Sequence, residues 1–413
     1  MNTGKAAVRK NCRICKGADL VKFLDFGKIP LAGGFIKPEN INEDASYPLS
    51  IYFCRTCKEV QVMEVVPAEV LFKDYRFLAS VTKTLSNHFA EYAKEMKERF
   101  LKKDSLIVEF GSNDGVLLKP FMNLGVKAIG VEPAKNIAEV ARSRGCTVIN
   151  DFFTEKTAKK IIEEYGKADM ICANNVFAHI DDMHEVVSGI KTLLKPDGVF
   201  VFEVHYLLDL VKTFQYDMIY HEHFMYHSVM ALQYLLGLFG MEVFEVKRIP
   251  IHSGSIRVYS CNKGKEQIDN SVAEILNLEK KEGLDKEETF LKFGKNVFKK
   301  RDEISNAINK IRSEGKKVVG YGASGRSVVH LNFCGLGKDK IDYVVDESPE
   351  RVGRLIPGVH IPIVRPEIMR ADKPDYALLF AYNYQQEVLE KEKEFIKCGG
   401  KFIIPIPEIK IVP

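Results

Sequence analysis

From about residue 89 the chain alternates short apolar runs with amphipathic stretches. "FAEYAKEMKERF" (89–100) carries apolar residues at helical spacing. Residues 106–108 form a short apolar run, read as a buried parallel strand that Glu109 ends. The loop Gly111-Ser112-Asn113-Asp114-Gly115 follows, and a helix opens over 116–121. Further strands are predicted in "KAIGVE", ending at Glu132, and in "CTVIN", running into Asp151 and Phe152. Two more are predicted in "ADMICANN", ending at Asn174 and Asn175, and in "GVFVFEV". "LKPDG" is a turn closing the helix before the last of these. Repeated strand–helix alternation predicts a doubly wound α/β sheet.

"HSVMALQYLLGLFG" predicts a helix starting near Ser228 and stopped by Gly240. Residues 276–315 are rich in lysine and glutamate. There Phe290, Phe293, Val297, Phe298, Ile304, Ile308 and Ile311 recur at helical spacing, a core-facing stripe with solvated flanks. A strand, the loop Gly320-x-Gly322-x-x-Gly325 and a new helix come next, with Asp346 at the following strand end and "YALLFA" running into Asn383. "IHSGSIRVYS" joins the two halves as a strand, with Ser255 and Arg257 sharing one face. Ahead of everything, "DFGKIPLAGGFIKPENI" reads as loops and short strands. The expectation is α/β: two doubly wound Rossmann-like domains (67–250 and 251–413) preceded by a small metal-binding module (1–66).

Charge narrows the partners. A net charge of +4 over 413 residues is too weak for a nucleic-acid binder, though a local basic site for an anionic small molecule fits. No apolar run reaches membrane-spanning length and the N-terminus has no apolar signal core, so a cytoplasmic protein is expected. Of nine cysteines, four form two tight pairs, Cys12-x-x-Cys15 and Cys54-x-x-Cys57. Two such knuckles suit one tetrahedral zinc. Four protein ligands close the site, so the metal is structural and supplies folding free energy to a segment with little core of its own.

In a doubly wound sheet, ligands bind at the carboxyl ends of the strands. The residues expected there are polar or acidic: Glu109, Asn113, Asp114, Glu132, Asp151 and Asn174. Gly111 and Gly115 let the backbone turn tightly and approach a ligand. Glu132 suits the two hydroxyls of a ribose, and Asp151 with Phe152 suits the amine and face of an adenine. A dinucleotide would call for G-x-G-x-x-G with the pyrophosphate on the helix N-terminus. The acid Asp114 in this loop opposes phosphate and tolerates a sulfonium, which favours S-adenosylmethionine over NAD.

"YHEHFMYHS" (220–228) lies between the last strand and the helix at Ser228. His221 and His223 are two apart in a non-helical stretch with no thiolate nearby, a poor metal set. The run is better suited to acid–base work. A histidine takes a proton near neutral pH, Glu222 could orient a ring, and Tyr220 could donate to an oxyanion.

Taken together, the two CxxC pairs, "VEFGSNDG", "NNVFAHI", "YHEHF", "HSGSIRVY" and "GYGASGR" resemble the nucleotide-sugar C-methyltransferases that branch a 4-keto deoxysugar. The resemblance covers essentially the whole chain. It implies an S-adenosylmethionine cofactor, a structural zinc and a nucleotide-diphosphate-linked keto sugar as substrate, methylated at C3. It also implies that His223 is the base, with Tyr220, Glu222, His179 and Tyr75 lining the reaction centre. The C-terminal domain would then help hold the nucleotide, through Ser324, Arg326, Asn332 and Asn383. Arg326, at a helix start, could grip a diphosphate in bidentate fashion. Arg257 is expected to reach substrate phosphate. By spacing alone, the second glycine loop also fits an NAD(P)-dependent sugar-nucleotide oxidoreductase. A zinc-stabilised sugar-nucleotide binding protein without catalysis is a third reading.

Overall fold

The computed structural model describes residues 7–66, 78–81 and 83–413; Tyr75 lies outside them. Its N-terminal module is an antiparallel sheet of β1 (Leu20–Pro30), β2 (Ser46–Cys54) and β3 (Val60–Val62). A short strand from further along, Met225–Tyr226, pairs with β3 and completes the sheet. The module is therefore stitched to the rest of the chain by backbone hydrogen bonds, and it completes its core with side chains from outside. Phe53 stacks on Phe290 with ring centroids 4.7 Å apart.

The central domain keeps to the predicted alternation. Its elements are α1 (Lys83–Phe100), β4 (Leu106–Phe110), α2 (Leu118–Asn123), β5 (Lys127–Val131), α3 (Lys135–Ser143), β6 (Thr147–Ile149), α4 (Glu155–Tyr165), β7 (Ala168–Asn174), α5 (Met183–Leu193) and β8 (Leu194–His205). The helix α6 (Val229–Gly237) has Ser228 as its N-cap, the side chain accepting from Ala231 N at 3.1 Å. Strands β9 (Met241–Ile249) and β10 (Ser255–Asn262) then form a hairpin. The sheet order is β9-β10-β8-β7-β4-β5-β6. Its five-strand core is parallel, with the switch point at β4, between β7 and β5.

One expected division does not match this topology. β10 runs antiparallel to β8, with Val199 opposite Cys261 and Glu203 opposite Arg257, and is an inner strand of the central sheet. All but one of its residues are buried. The sheet thus runs past residue 250 to Asn262, and "IHSGSIRVYS" belongs to it instead of linking two halves. The reason is packing: Ile256 and Val258 on one face and Tyr259 and Cys261 on the other fill cores on both sides of the sheet.

After α7 (Asn270–Lys281), the 27-residue helix α8 (Glu287–Ser313) runs about 40 Å. Its apolar stripe serves two partners. Phe290 and Phe293 pack on the module, and Gly294 sits so close to Phe23 that a Cβ there would collide with the Phe23 carbonyl. Further along, Phe298 meets Phe333 of the C-terminal domain. That domain has β11 (Val318–Tyr321), α9 (Gly325–Phe333), β12 (Val344–Val345), β13 (Ile363–Val364), β14 (Tyr376–Leu379), β15 (Lys401–Ile404) and β16 (Lys410–Val412). Its sheet order is β13-β12-β11-β14-β15-β16, parallel except for β16. Both Rossmann-like sheets anticipated from the alternation are present. No helix among the described residues is long and apolar enough to cross a membrane.

Candidate active site

The four paired cysteines converge. Their sulfur atoms all lie within 4.8 Å of one another, with Cys12 to Cys57 and Cys15 to Cys54 both at 3.5 Å. Main-chain N–H groups of Ile14 and Gly17 point at Cys12 and Cys15 from within the first turn, each at 3.4 Å, and Gln61 Nε2 donates to Cys12 at 3.0 Å. These donors stabilise thiolate charge, and four thiolates fill a tetrahedral zinc. The site is closed and structural.

A second cluster forms where β4, β5 and β7 end. Gly111 has φ +63° and no room for a Cβ against Val176, while Gly115 has φ +80° with Cys146 Sγ 2.7 Å from where a Cβ would stand. Only glycine suits these turns. Glu132 accepts from Asn113 N at 3.0 Å and Ala134 N at 2.9 Å, which ties the loop to the end of β5. Asp114 accepts from the Ser80 hydroxyl at 2.6 Å and pairs with Arg144 at 2.9 Å. Glu109 is buried, and burial pushes its carboxyl well above the usual range, with Glu132 and Asp114 adding to the rise. Glu109 Oε2, Asp114 Oδ1 and Ser112 Oγ are buried and have no hydrogen-bond partner among the described residues. Orphaned acceptors of this kind are costly unless a donor or cation arrives. The cationic sulfonium and ammonium of S-adenosylmethionine fit that need. Asn174 stands at the end of β7. Asp151, whose side chain accepts from Phe152 N at 2.9 Å, and half-exposed Phe152 follow the end of β6.

A third cluster lies beside it. His223 Nδ1 donates to the Met218 carbonyl at 2.9 Å, so Nε2 carries the lone pair. His179 Nδ1 donates to the Glu222 carbonyl at 2.6 Å. The His223 ring lies 4.0 Å from Tyr220 and 4.9 Å from His179, centroid to centroid. Burial holds His223 well below the ordinary histidine range, with His179 adding to the effect. Burial lowers His179 as well. His205 and His252, which sequence reasoning does not single out, also act on His223 and are themselves lowered to about 3 and about 4, chiefly by burial. Another pair that it misses stands near the end of β8: His88 bonds both oxygens of Glu203 at 2.8 and 2.9 Å.

The three histidines of "YHEHFMYHS" therefore part company. His221 reaches the Pro48 carbonyl at 3.0 Å and His227 pairs with Glu59 at 3.3 Å, both fastening the module. Only His223 faces the cluster. Glu222, expected to orient a ring with its carboxylate, instead points that group at the module loop, accepting from Gly33 N at 3.1 Å, and burial raises it. It positions His179 through its main-chain carbonyl. The loop is held from the other side too: a Cβ on Gly325 would stand 3.0 Å from Ala32 and 3.8 Å from Tyr220. All three parts of the chain meet here.

In the C-terminal domain the outcome divides. Arg326 sits in the first turn of α9 and bonds Asn383 Oδ1 at 3.3 Å. It also pairs with Asp217 at 3.3 Å and lies 4.1 Å over the Tyr382 ring. Ser324 precedes the helix, its N–H donating to Ser327 Oγ at 3.1 Å. Ser324, Arg326 and Asn383 thus share one neighbourhood. Asn332 does not join them: its amide donates to Val328 O at 2.8 Å and Pro357 O at 2.9 Å, anchoring a loop. Arg257 is also engaged elsewhere. It is buried, pairs with Glu203 at 2.7 Å and Glu95 at 2.9 Å, and lies 4.1 Å over Tyr92. Ser255 donates to Ile251 O at 3.0 Å. Neither β10 side chain reaches out toward a phosphate.

Comparison with known proteins covers nearly the whole chain. Family models match a zinc binding domain over residues 12–72, a methyltransferase domain over 85–246 and a C-methyltransferase C-terminal domain over 250–407. The C-methyltransferase NovU of Streptomyces niveus is 37% identical over 97% of this chain and 96% of its own length. A ubiquinone biosynthesis O-methyltransferase of Bartonella bacilliformis is 29% identical, but over 22% of this chain and 38% of its own. Among solved structures, a Pyrococcus horikoshii protein aligns over 48% of this chain and all of its own, with TM-score 0.37 and 11% identity.

Proposed function

This chain belongs to the family of S-adenosylmethionine-dependent C-methyltransferases, and from that premise we propose that its substrate is a nucleotide-linked 4-keto deoxysugar, methylated at C3 in the cytoplasm. One observation carries the reading: an imidazole with its Nδ1–H tied to a carbonyl and its Nε2 open, half-buried between a second imidazole and a phenol. Making a bond at carbon requires removal of a carbon-bound proton, which is practical next to a ketone. S-adenosylmethionine, when bound, supplies an electrophilic methyl group. His223 Nε2 takes the proton, and Tyr220 or His179 steadies the enolate oxygen. Ser324, Arg326 and Asn383 hold the nucleotide end. Desolvation of the half-buried ring, with His179 beside it, keeps His223 neutral and ready to accept.

The oxidoreductase reading of the second glycine loop has less support. Gly325 is packed under the module loop.

The test is His223→Asn in the zinc-loaded protein. Cofactor binding should persist while turnover falls by about 10²–10⁴-fold, the usual worth of a general base. Deuterium wash-in at C3 of a 4-keto deoxysugar nucleotide, followed without S-adenosylmethionine, should vanish in the same variant. Full activity, or exchange at C5 alone, would overturn the assignment.

A further inference from the structure

The hydrogen bond that sets His223 ends on a carbonyl, and that carbonyl is held from another domain. Met218 belongs to a single turn of 3-10 helix, Tyr216–Met218. Asp217, at its centre, is buried and turns its carboxylate toward the C-terminal domain. The Tyr382 hydroxyl donates to both of its oxygens, at 2.8 and 3.0 Å. Arg326 adds Nε and Nη2, each at 3.3 Å, and itself bonds the Tyr382 hydroxyl. On the other side of the turn, the Tyr216 hydroxyl meets His330 Nδ1 at 3.0 Å and Cys334 Sγ at 3.4 Å, both contributed by or next to α9. The turn that carries the Met218 carbonyl is thus clamped on both flanks by the C-terminal domain.

A neutral imidazole accepts a proton only at the nitrogen that lacks one, and its partner at the other nitrogen decides which that is. We propose that Asp217 is a positioning residue for the methyl-transfer reaction. Gripped by Tyr382 and Arg326, it fixes the 216–218 turn so that the Met218 carbonyl keeps the proton of His223 on Nδ1 and leaves Nε2 to act. This rests on the reading of His223 as the base. It assigns the C-terminal domain a part in the chemistry as well as in holding the nucleotide, since residues that grip the far end of the cleft also set the base. Arg326 is the shared handle, bonded to Asp217 on one side and Asn383 on the other.

Two variants of the full-length, zinc-loaded protein test it: Asp217→Asn, and Tyr382→Phe, which removes one hydroxyl and keeps the ring. Nitrogen-15 NMR on histidine-labelled protein, with the His223 signals identified by their loss in His223→Asn, reads the tautomer directly and needs no substrate. The parent should show the proton on Nδ1; both variants should shift population to Nε2–H. With thymidine-diphosphate-linked 4-keto-6-deoxyglucose as probe, turnover should fall about 10²-fold, as for a small misplacement of a reacting group. The dissociation constant for S-adenosylmethionine should stay within about twofold, because the turn lies outside the cofactor cleft. An unchanged His223 tautomer in the two folded variants, or turnover within twofold of the parent, overturns the proposal. If His223→Asn keeps deuterium wash-in while the tautomer still shifts in Asp217→Asn, the base assignment fails and the positioning of His223 stands.

Discussion

An imidazole that must take a proton from carbon at neutral pH has to be empty beforehand. Burial, and then the nearby His179, hold His223 below the ordinary value of 6.5. A histidine with a lowered value stays neutral as pH falls through 6.5 and charges only further down. The acid limb of turnover against pH should therefore fall below 6.5; a limb at or above it would mean that another group limits the rate. This residue is legible in the sequence because histidine is rare and "YHEHF" concentrates it. Where each side chain points is not. Glu222 turns to Gly33, 189 positions away, and Arg257 to Glu203 and Glu95, partners invisible in an alternating strand pattern. Asn332 is held by Pro357 through a loop that sequence spacing does not reveal. Asp217 stands three residues before Tyr220, yet a lone acid beside a conspicuous run carries no signal of its own until Arg326 and Tyr382 face it.

Elements are read more surely than contacts. The helical stripe from Phe290 to Ile311 and the strand ends bearing Glu109 and Glu132 appear as periodicity placed them. The loop after β4 depends on glycine in a way that can be measured. At Gly111 the backbone has φ +63° and Val176 occupies the place of a Cβ. Gly111→Ala should lower stability by about 1–3 kcal/mol, the cost of forcing such a conformation, and weaken S-adenosylmethionine binding about tenfold or more. Thermal unfolding and calorimetric titration would report both, and parent-like values in each would show that the loop relaxes freely. The hairpin of β9 and β10 escapes sequence reading for a physical reason. A strand buried on both faces reads like a connecting strand until its neighbour is known, and on β8 the partner of Arg257, Glu203, lies 54 positions away.

At the scale of the molecule, the zinc module packs against the segment that carries His223. Its loop at Ala32 and Gly33 is wedged between Glu222 on one side and Gly325 on the other. Stripping zinc with a chelator, confirmed by elemental analysis, should lower the melting temperature and abolish turnover together, with readdition of zinc restoring both. Undiminished turnover in metal-free protein would show that the loop keeps its place unaided. A consequence of a different kind comes from α8. Its first turns lie against β1 so closely that a Cβ on Gly294 would collide with the Phe23 carbonyl, and its later turns reach Phe333. Grafting a relative's C-terminal half onto this chain to change the sugar accepted would have to transplant that helix and its strand as a matched cassette. A seam cut at the apparent linker would leave the donor's helix facing a groove shaped for another.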